Sequence, residues 1–191
     1  MEKYLVLIDN DYDELEKLKS VVSKQAKIKQ IKVECFCYDE NKGMQNMLDN
    51  LICLLSDDFN SQSLFHIVID ACLTSHEHDL STIKNMHELS GIEFMKKINS
   101  ILKNKDCKYN LSLMTRFFAN QLRFLEDFQM FQKDKANNFY SIIRKPILDN
   151  GEIDNGYSPM PMYTELLPEE FLSLQYSSSF EKITLYVLGE T

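Results

Sequence analysis

Tryptophan is absent from the 191 residues, glycine occurs five times and proline four times. With 44% hydrophobic and 26% charged residues, that composition excludes a disordered or fibrous chain. Cysteine is scarce too: Cys35, Cys37, Cys53, Cys72 and Cys107 make an odd number with no C-x-x-C pair. A disulfide framework is therefore not expected, and reduced, mostly buried thiols in a cytoplasm are. Cys35 and Cys37, two apart on a strand, read as two small core hydrophobes. No apolar run approaches the ~20 residues that cross a bilayer. The start MEKYLVLIDND carries charge on both sides of a short apolar run, which is not the pattern of a signal peptide. Positive charge is the minority sign, 21 Lys and Arg against 29 Asp and Glu, for a net charge of -8. Capture of nucleic acid or anionic lipid needs a cationic face, so a partner protein or small ligand is expected instead.

The length suits one large domain with an appendage, able to bury a core without a metal or disulfide staple. Along the chain two periods alternate. Leu5–Ile8 is a short apolar run closing on Asp9, read as a buried strand. Leu15, Leu18, Val22 and Ala26 then recur at helical spacing. Ile31, Val33, Cys35 and Cys37 alternate as a second strand, and Met44, Met47, Leu48, Leu51 and Leu55 form a second helical stripe. Leu64–Ile69 is a third strand, closing on Asp70, and His66 within it reads as a satisfied core or edge histidine. Ile92, Met95 and Ile98 open a third helix that runs through Leu102. Leu111–Met114 leads to Thr115, Phe117–Lys133 supports a fourth helix, and Phe139–Ile143 a fifth strand before Arg144, Lys145 and Pro146.

Strands that are near-continuously apolar and alternate with helices predict a parallel sheet covered on both faces. Five of them predict an α/β, doubly wound five-stranded parallel sheet. In such sheets the ligand site lies at the carboxyl ends of the strands. The residues there are Asp9, Asn10 and Asp11, then Asp70, Thr115 and Lys145. Two stretches fall outside this minimal domain. Thr74–Glu88 is a long polar loop straight after Asp70, and its His76, His78 and Asp79 read as exposed polar residues rather than a metal chelate. From Leu148 the chain turns rich in Gly, Pro, Asn and Asp. The expected division is 1–147 as the domain and 148–191 as an extension, with a short helix near Pro168–Leu174 and a strand near Ile183–Leu188.

Clustered acids, a hydroxyl and a lysine at one edge suit phosphoryl chemistry. Oxygen ligands at a strand end suit Mg²⁺, and a carboxylate can itself be the nucleophile that accepts a phosphoryl group. Lysine offers a point charge and threonine a short donor to phosphoryl oxygens. Taken singly, Asp9 and Asp11 read first as caps of the helix that follows, and the company of Asp70, Thr115 and Lys145 moves the site reading ahead.

At LVLIDND (5–11), HIVID (66–70), SGIEFMKKI (90–98), SLMTRF (112–117) and YSIIRKPI (140–147) the sequence resembles the receiver domain of two-component response regulators. The resemblance covers about residues 3–147. It implies the flavodoxin-like strand order 2-1-3-4-5, with an altered C-terminal element because an irregular stretch follows Pro146. It implies that Asp70 is the phosphoacceptor, Thr115 the switch hydroxyl and Lys145 the phosphoryl-binding cation. Mg²⁺ would sit on Asp9, Asn10, Asp70 and the backbone carbonyl of Cys72, with Asp11 as a further carboxylate nearby. Asn10 stands where the family has an acid, which weakens the attraction for Mg²⁺. Arg116 replaces the very small residue after the switch hydroxyl, as an obstruction or an extra phosphate contact. Ile142 replaces a common aromatic, and the bond before Pro146 is cis in most members. The implied partners are a histidine kinase or phosphotransfer protein and a protein output target, with no nucleic acid and no membrane, and homodimerisation is left open. The chain is then no enzyme beyond self-dephosphorylation. Thr74–Glu88 and the tail would be its contact surfaces.

Two other readings stand beside this one. A pseudo-receiver would keep the fold and bind a partner constitutively, without phosphorylation. LVLIDND also resembles the opening of haloacid-dehalogenase phosphatases, with Asp9 as nucleophile, Asp11 as acid/base, and Thr115 and Lys145 as later motifs. That superfamily needs an acid-ending strand after the lysine, whereas the strand ending at Asp70 precedes Thr115.

Overall fold

A computed structural model describes residues 2–56, 62–78, 80–116, 139–145 and 152. Four strands, β1 (Glu2–Asp9), β2 (Ile31–Cys37), β3 (Ser63–Asp70) and β4 (Lys108–Thr115), form an all-parallel sheet in the order β2-β1-β3-β4. The connections are α1 (Tyr12–Ile28), α2 (Gly43–Leu55) and α3 (Ser90–Leu102). This is an α/β arrangement, consistent with a flavodoxin-like fold. Phe139–Arg144 runs parallel beside β4, with a shift of register between Leu111 and Ser112.

Alternation along each strand divides the core in two. Val6, Ile8, Phe65, Ile67, Ile69, Leu111 and Leu113 face the side covered by α2 and α3. Leu5, Leu7, Val68, Met114 and Ile143 face α1, through Leu15, Leu18, Val22 and Ala26. Every residue of β3 is buried, because neighbours flank it on both edges and helices lie on both faces. At ~1.5–3 kcal/mol per fully buried aliphatic side chain, these two layers are the main stabilising term.

Local chemistry sets the helix ends. Asp11 Oδ1 accepts the Glu14 backbone N–H at 3.1 Å and so caps α1. Asp13 and Glu14 in the first turn and Lys27 in the last complement the helix dipole. Gln30, at φ 57°, takes the left-handed conformation that turns the chain from α1 into β2.

Two expectations need correction. The thiols are free as expected, yet only Cys72 is buried; Cys35 and Cys107 are half-buried, and Cys37 and Cys53 are exposed. The reason for Cys35 and Cys37 is that β2 is an edge strand, with a neighbour on one side only. The stretch Thr74–Glu88 is not wholly an exposed polar loop. It winds through short 3₁₀ turns at Ser75–His78, Leu80–Thr82 and Met86–Glu88, and buries Glu77 and Met86.

The expected fourth helix, Pro146, the boundary at 147/148 and the tail elements lie outside the described residues, as do the side chains of His76, His78 and Ile142. None of the described helices is long and apolar enough to cross a membrane.

Candidate functional site at the carboxyl edge of the sheet

Strand register brings the acids together. Ile8 pairs with Ile69, so Asp9 and Asp70 end adjacent strands at one level. Asp70 pairs with Met114, one residue before Thr115, and Thr115 pairs with Arg144, one residue before Lys145. The Lys145 backbone N–H donates to the Thr115 carbonyl at 2.8 Å. Asp9, Asp70, Thr115 and Lys145 are all buried. Four residues picked out by their positions at strand ends thus share one edge.

At its centre is the Lys145 ammonium. It donates to Asp70 Oδ2 and, at 2.9 Å, to Glu14 Oε2. Asp9 Oδ2 lies 2.7 Å away, a Coulombic contact without hydrogen-bond alignment, so this buried oxygen has no hydrogen-bond donor among the described residues. Three carboxylates therefore surround a group with three N–H donors. Burial opposes the charge on Lys145, but Asp70 and Asp9 outweigh it and hold the ammonium above its ordinary pKa. Burial pushes the Asp70 carboxyl well above the usual carboxylate range; the Lys145 charge opposes this and the Asp9 charge adds to it.

Backbone groups fix the carboxylates. Asp70 Oδ1 accepts the Cys72 N–H at 3.1 Å, and Asp9 Oδ1 accepts the Asp11 N–H at 3.1 Å. Behind Asp70, Glu77 Oε1 accepts the Ser90 N–H at 2.6 Å, while the Ser90 hydroxyl donates to Glu77 Oε2. The Leu73 N–H donates to that same hydroxyl at 2.8 Å. The segment that leaves Asp70 is thus pinned to the start of α3.

Sequence reasoning missed Glu14. It looks like one more first-turn acid, yet it is buried and holds two cations, Lys145 on Oε2 and Arg116 on Oε1. One signal was available: Glu14 precedes Leu18 by four residues, which places it on the apolar stripe that faces the sheet. The importance of Glu77 was missed as well. Asn10, by contrast, is half-buried and lines a cleft of about 410 Å³ with Cys37, Tyr38, Asp39, Glu40, Lys42 and Leu73. Asp11 is exposed and acts as a helix cap. His66 is wholly buried and shares a 2.8 Å hydrogen bond with Ser112.

Mg²⁺ needs only one or two protein carboxylates and keeps several waters. Asp9 and Asp70 fit that need, since Asp9 Oδ2 is a buried oxygen with no hydrogen-bond donor among the described residues. No group of three or more His, Cys, Asp or Glu side chains forms a ready metal cluster among the described residues. Lys145 already compensates the charge there.

Comparisons of the chain with protein-family models, with curated proteins and with solved structures find no match.

Proposed function

We propose that this chain is a receiver-like signalling protein of the cytoplasm, in which Asp70 accepts a phosphoryl group. The observation that carries this reading is the contact of the Lys145 ammonium with Asp70 Oδ2, beside Asp9, at the carboxyl edge of a parallel sheet. On this reading Phe139–Arg144 is the last strand of a complete doubly wound sheet in the order 2-1-3-4-5. An Asp70 oxygen forms a bond to phosphorus while the bond between phosphorus and the donor's leaving group breaks. Lys145 neutralises the phosphoryl oxygens and Thr115 offers them a hydroxyl donor. Asp9 and Asp70 would hold Mg²⁺, which would supply further charge neutralisation there.

The donor is a histidine kinase or phosphotransfer protein, and the output is contact with a further protein rather than with nucleic acid or membrane. Phosphorylation adds close to two negative charges at the centre of a buried ion-pair cluster, and this redistributes its cations. The cleft beside Asn10 and the loop after Asp70 follow the strand ends that carry Asp9 and Asp70.

A second reading is favoured by the same cluster. Three carboxylates each paired with Lys145 or Arg116 form a structural network, as a constitutive pseudo-receiver adaptor would have. Incubation with Mg²⁺ and a small acyl phosphate, followed by intact mass, separates the two. A phosphate-sized adduct that is lost in Asp70→Ala supports the acceptor, and no adduct under any donor concentration supports the adaptor. An adduct on Asp9 would revive the phosphatase reading.

A further inference from the structure

Arg116 follows Thr115 directly, at the edge where a phosphoryl group would enter, and an arginine there is either a plug or a ligand. Its surroundings distinguish these roles. The guanidinium pairs with Oε1 of Glu14, whose side chain is only 4% exposed, while a third of the Arg116 side chain, 33%, remains open to solvent. The other Glu14 oxygen accepts from Lys145, which in turn donates to Asp70. One buried carboxylate thus holds two cations, one on each oxygen, and one of those cations touches the acceptor. A plug would need no such counter-ion and would gain by packing against apolar neighbours. A guanidinium carries five N–H donors in a planar fork suited to phosphate oxygens, and pairing with one carboxylate oxygen leaves most of them unspent.

The carboxyl groups of Asp9, Glu14 and Asp70 stand against two cations, Lys145 and Arg116. The cluster carries no surplus of cations, so an entering anion has to displace Glu14 from them rather than fill a positive pocket. A phosphate dianion entering this edge competes with Glu14 for both cations. It offers more charge and more acceptor oxygens than a carboxylate does.

We propose that Arg116, stored on Glu14, is a second phosphate-binding cation, so that the pocket grips a phosphate-sized dianion through Lys145 and Arg116 together. Glu14 is then a positioning residue that parks both cations when the pocket holds no anion. The inference rests on the phosphoacceptor reading for its biological use, but binding of free phosphate is separable from transfer to Asp70.

The test is titration of the full chain with inorganic phosphate in the presence of Mg²⁺, followed by calorimetry or ³¹P NMR. Arg116→Ala should weaken phosphate binding about tenfold, the size of one lost charge-assisted hydrogen bond, and Arg116→Lys should fall between. Glu14→Gln should move the other way and tighten phosphate, because a competing carboxylate is removed. A merely structural role for Glu14 predicts weaker binding. Phosphate that binds Arg116→Ala as well as or better than the wild type overturns the proposal, as does no phosphate binding by the wild type. Intact mass with an acyl phosphate is run in parallel. An Asp70 adduct together with Arg116-independent phosphate binding sinks this inference and leaves the acceptor reading standing. Arg116-dependent binding without an adduct does the reverse.

Discussion

Gly91 lies against the backbone of Asp70 so closely that a Cβ placed there would overlap the Asp70 carbonyl oxygen and crowd the Ala71 Cα. The Gly91 N–H also donates to the Ala71 carbonyl at 3.0 Å. The start of α3 thus seats directly on the turn that follows Asp70. The obstacle is backbone, which cannot swing aside as a flexible side chain would. Gly91→Ala should therefore destabilise the fold by about 1–3 kcal/mol, the usual cost of overpacking. Urea unfolding measures this, and an unchanged midpoint would mean that the close approach is not needed.

Lys145 is the shared counter-ion of three buried carboxylates. Removing one partner of a buried pair leaves charge without compensation, at a cost of roughly 3–5 kcal/mol. Lys145→Met, which keeps the bulk of the side chain, should lose stability of that order at neutral pH and recover part of it on acidification. A variant as stable as the wild type at pH 7 would show that the carboxylates do not depend on the ammonium.

Asp70 gives a pH dependence with a definite sign. Its carboxyl is raised from 3.8 to about 7, chiefly by burial, so the folded chain holds a proton over a window in which the unfolded chain has released it. The stability this group contributes is full below the ordinary carboxylate range and is lost as pH rises through the folded value. Asp70→Asn cannot titrate. Its advantage over the wild type in thermal midpoint should therefore grow between pH 5 and pH 8, and a constant difference would contradict the burial argument.

The fold was legible in the sequence wherever the signal was local. Short apolar runs closing on Asp9 and Asp70, and helical stripes such as Leu15, Leu18, Val22 and Ala26, placed the first strands and helices to within three residues. Positions at strand ends then gave Asp9, Asp70, Thr115 and Lys145, because a parallel sheet aligns its carboxyl ends whatever the loops between them. Glu14 was not legible in that way. Its burial follows from a lysine 131 residues further on, and from outside it resembles any first-turn acid that favours the helix dipole. Cys37 failed for the opposite reason. Alternation showed which residues share a face of β2, but not that the strand lies at the edge of the sheet.

The cysteines differ in their surroundings, which a thiol reagent can read. Burial pushes the Cys35 thiol up to about 11, and it raises Cys72 as well, with Asp70 adding to the effect. Cys37 is raised too, by partial burial and then by Asp9, Asp11 and Asp39. A raised thiol yields less of the reactive thiolate at a given pH. At pH 8 the exposed Cys53 should alkylate first, with Cys35 and Cys72 last, and raising the pH toward 10 should narrow the gap for Cys35. Peptide mapping after timed alkylation checks the order; early labelling of Cys72 would contradict it.

Glu77 decides whether the loop after Asp70 is a fixed surface or a loose one. Its carboxylate takes the Ser90 N–H and hydroxyl, and a longer contact of 3.4 Å reaches the Thr74 N–H. It therefore fastens both ends of the stretch from Thr74 to Ser90, and an acid at the first residues of α3 also suits the dipole of that helix. Glu77→Gln keeps the size and one acceptor oxygen, but an amide nitrogen must then face the Ser90 N–H or hydroxyl. Leaving such a buried donor unmatched costs about 1–3 kcal/mol. The local consequence should exceed the global one, because the loop can open while the sheet stays folded. Lys84 lies exposed within this stretch. Limited trypsin digestion should therefore cleave after Lys84 several times faster in Glu77→Gln or Glu77→Ala than in the wild type, under conditions where the rest of the chain survives. Equal rates would show that the loop is held by something other than Glu77, and would remove the argument that the surface beside Asp70 is built as a rigid platform.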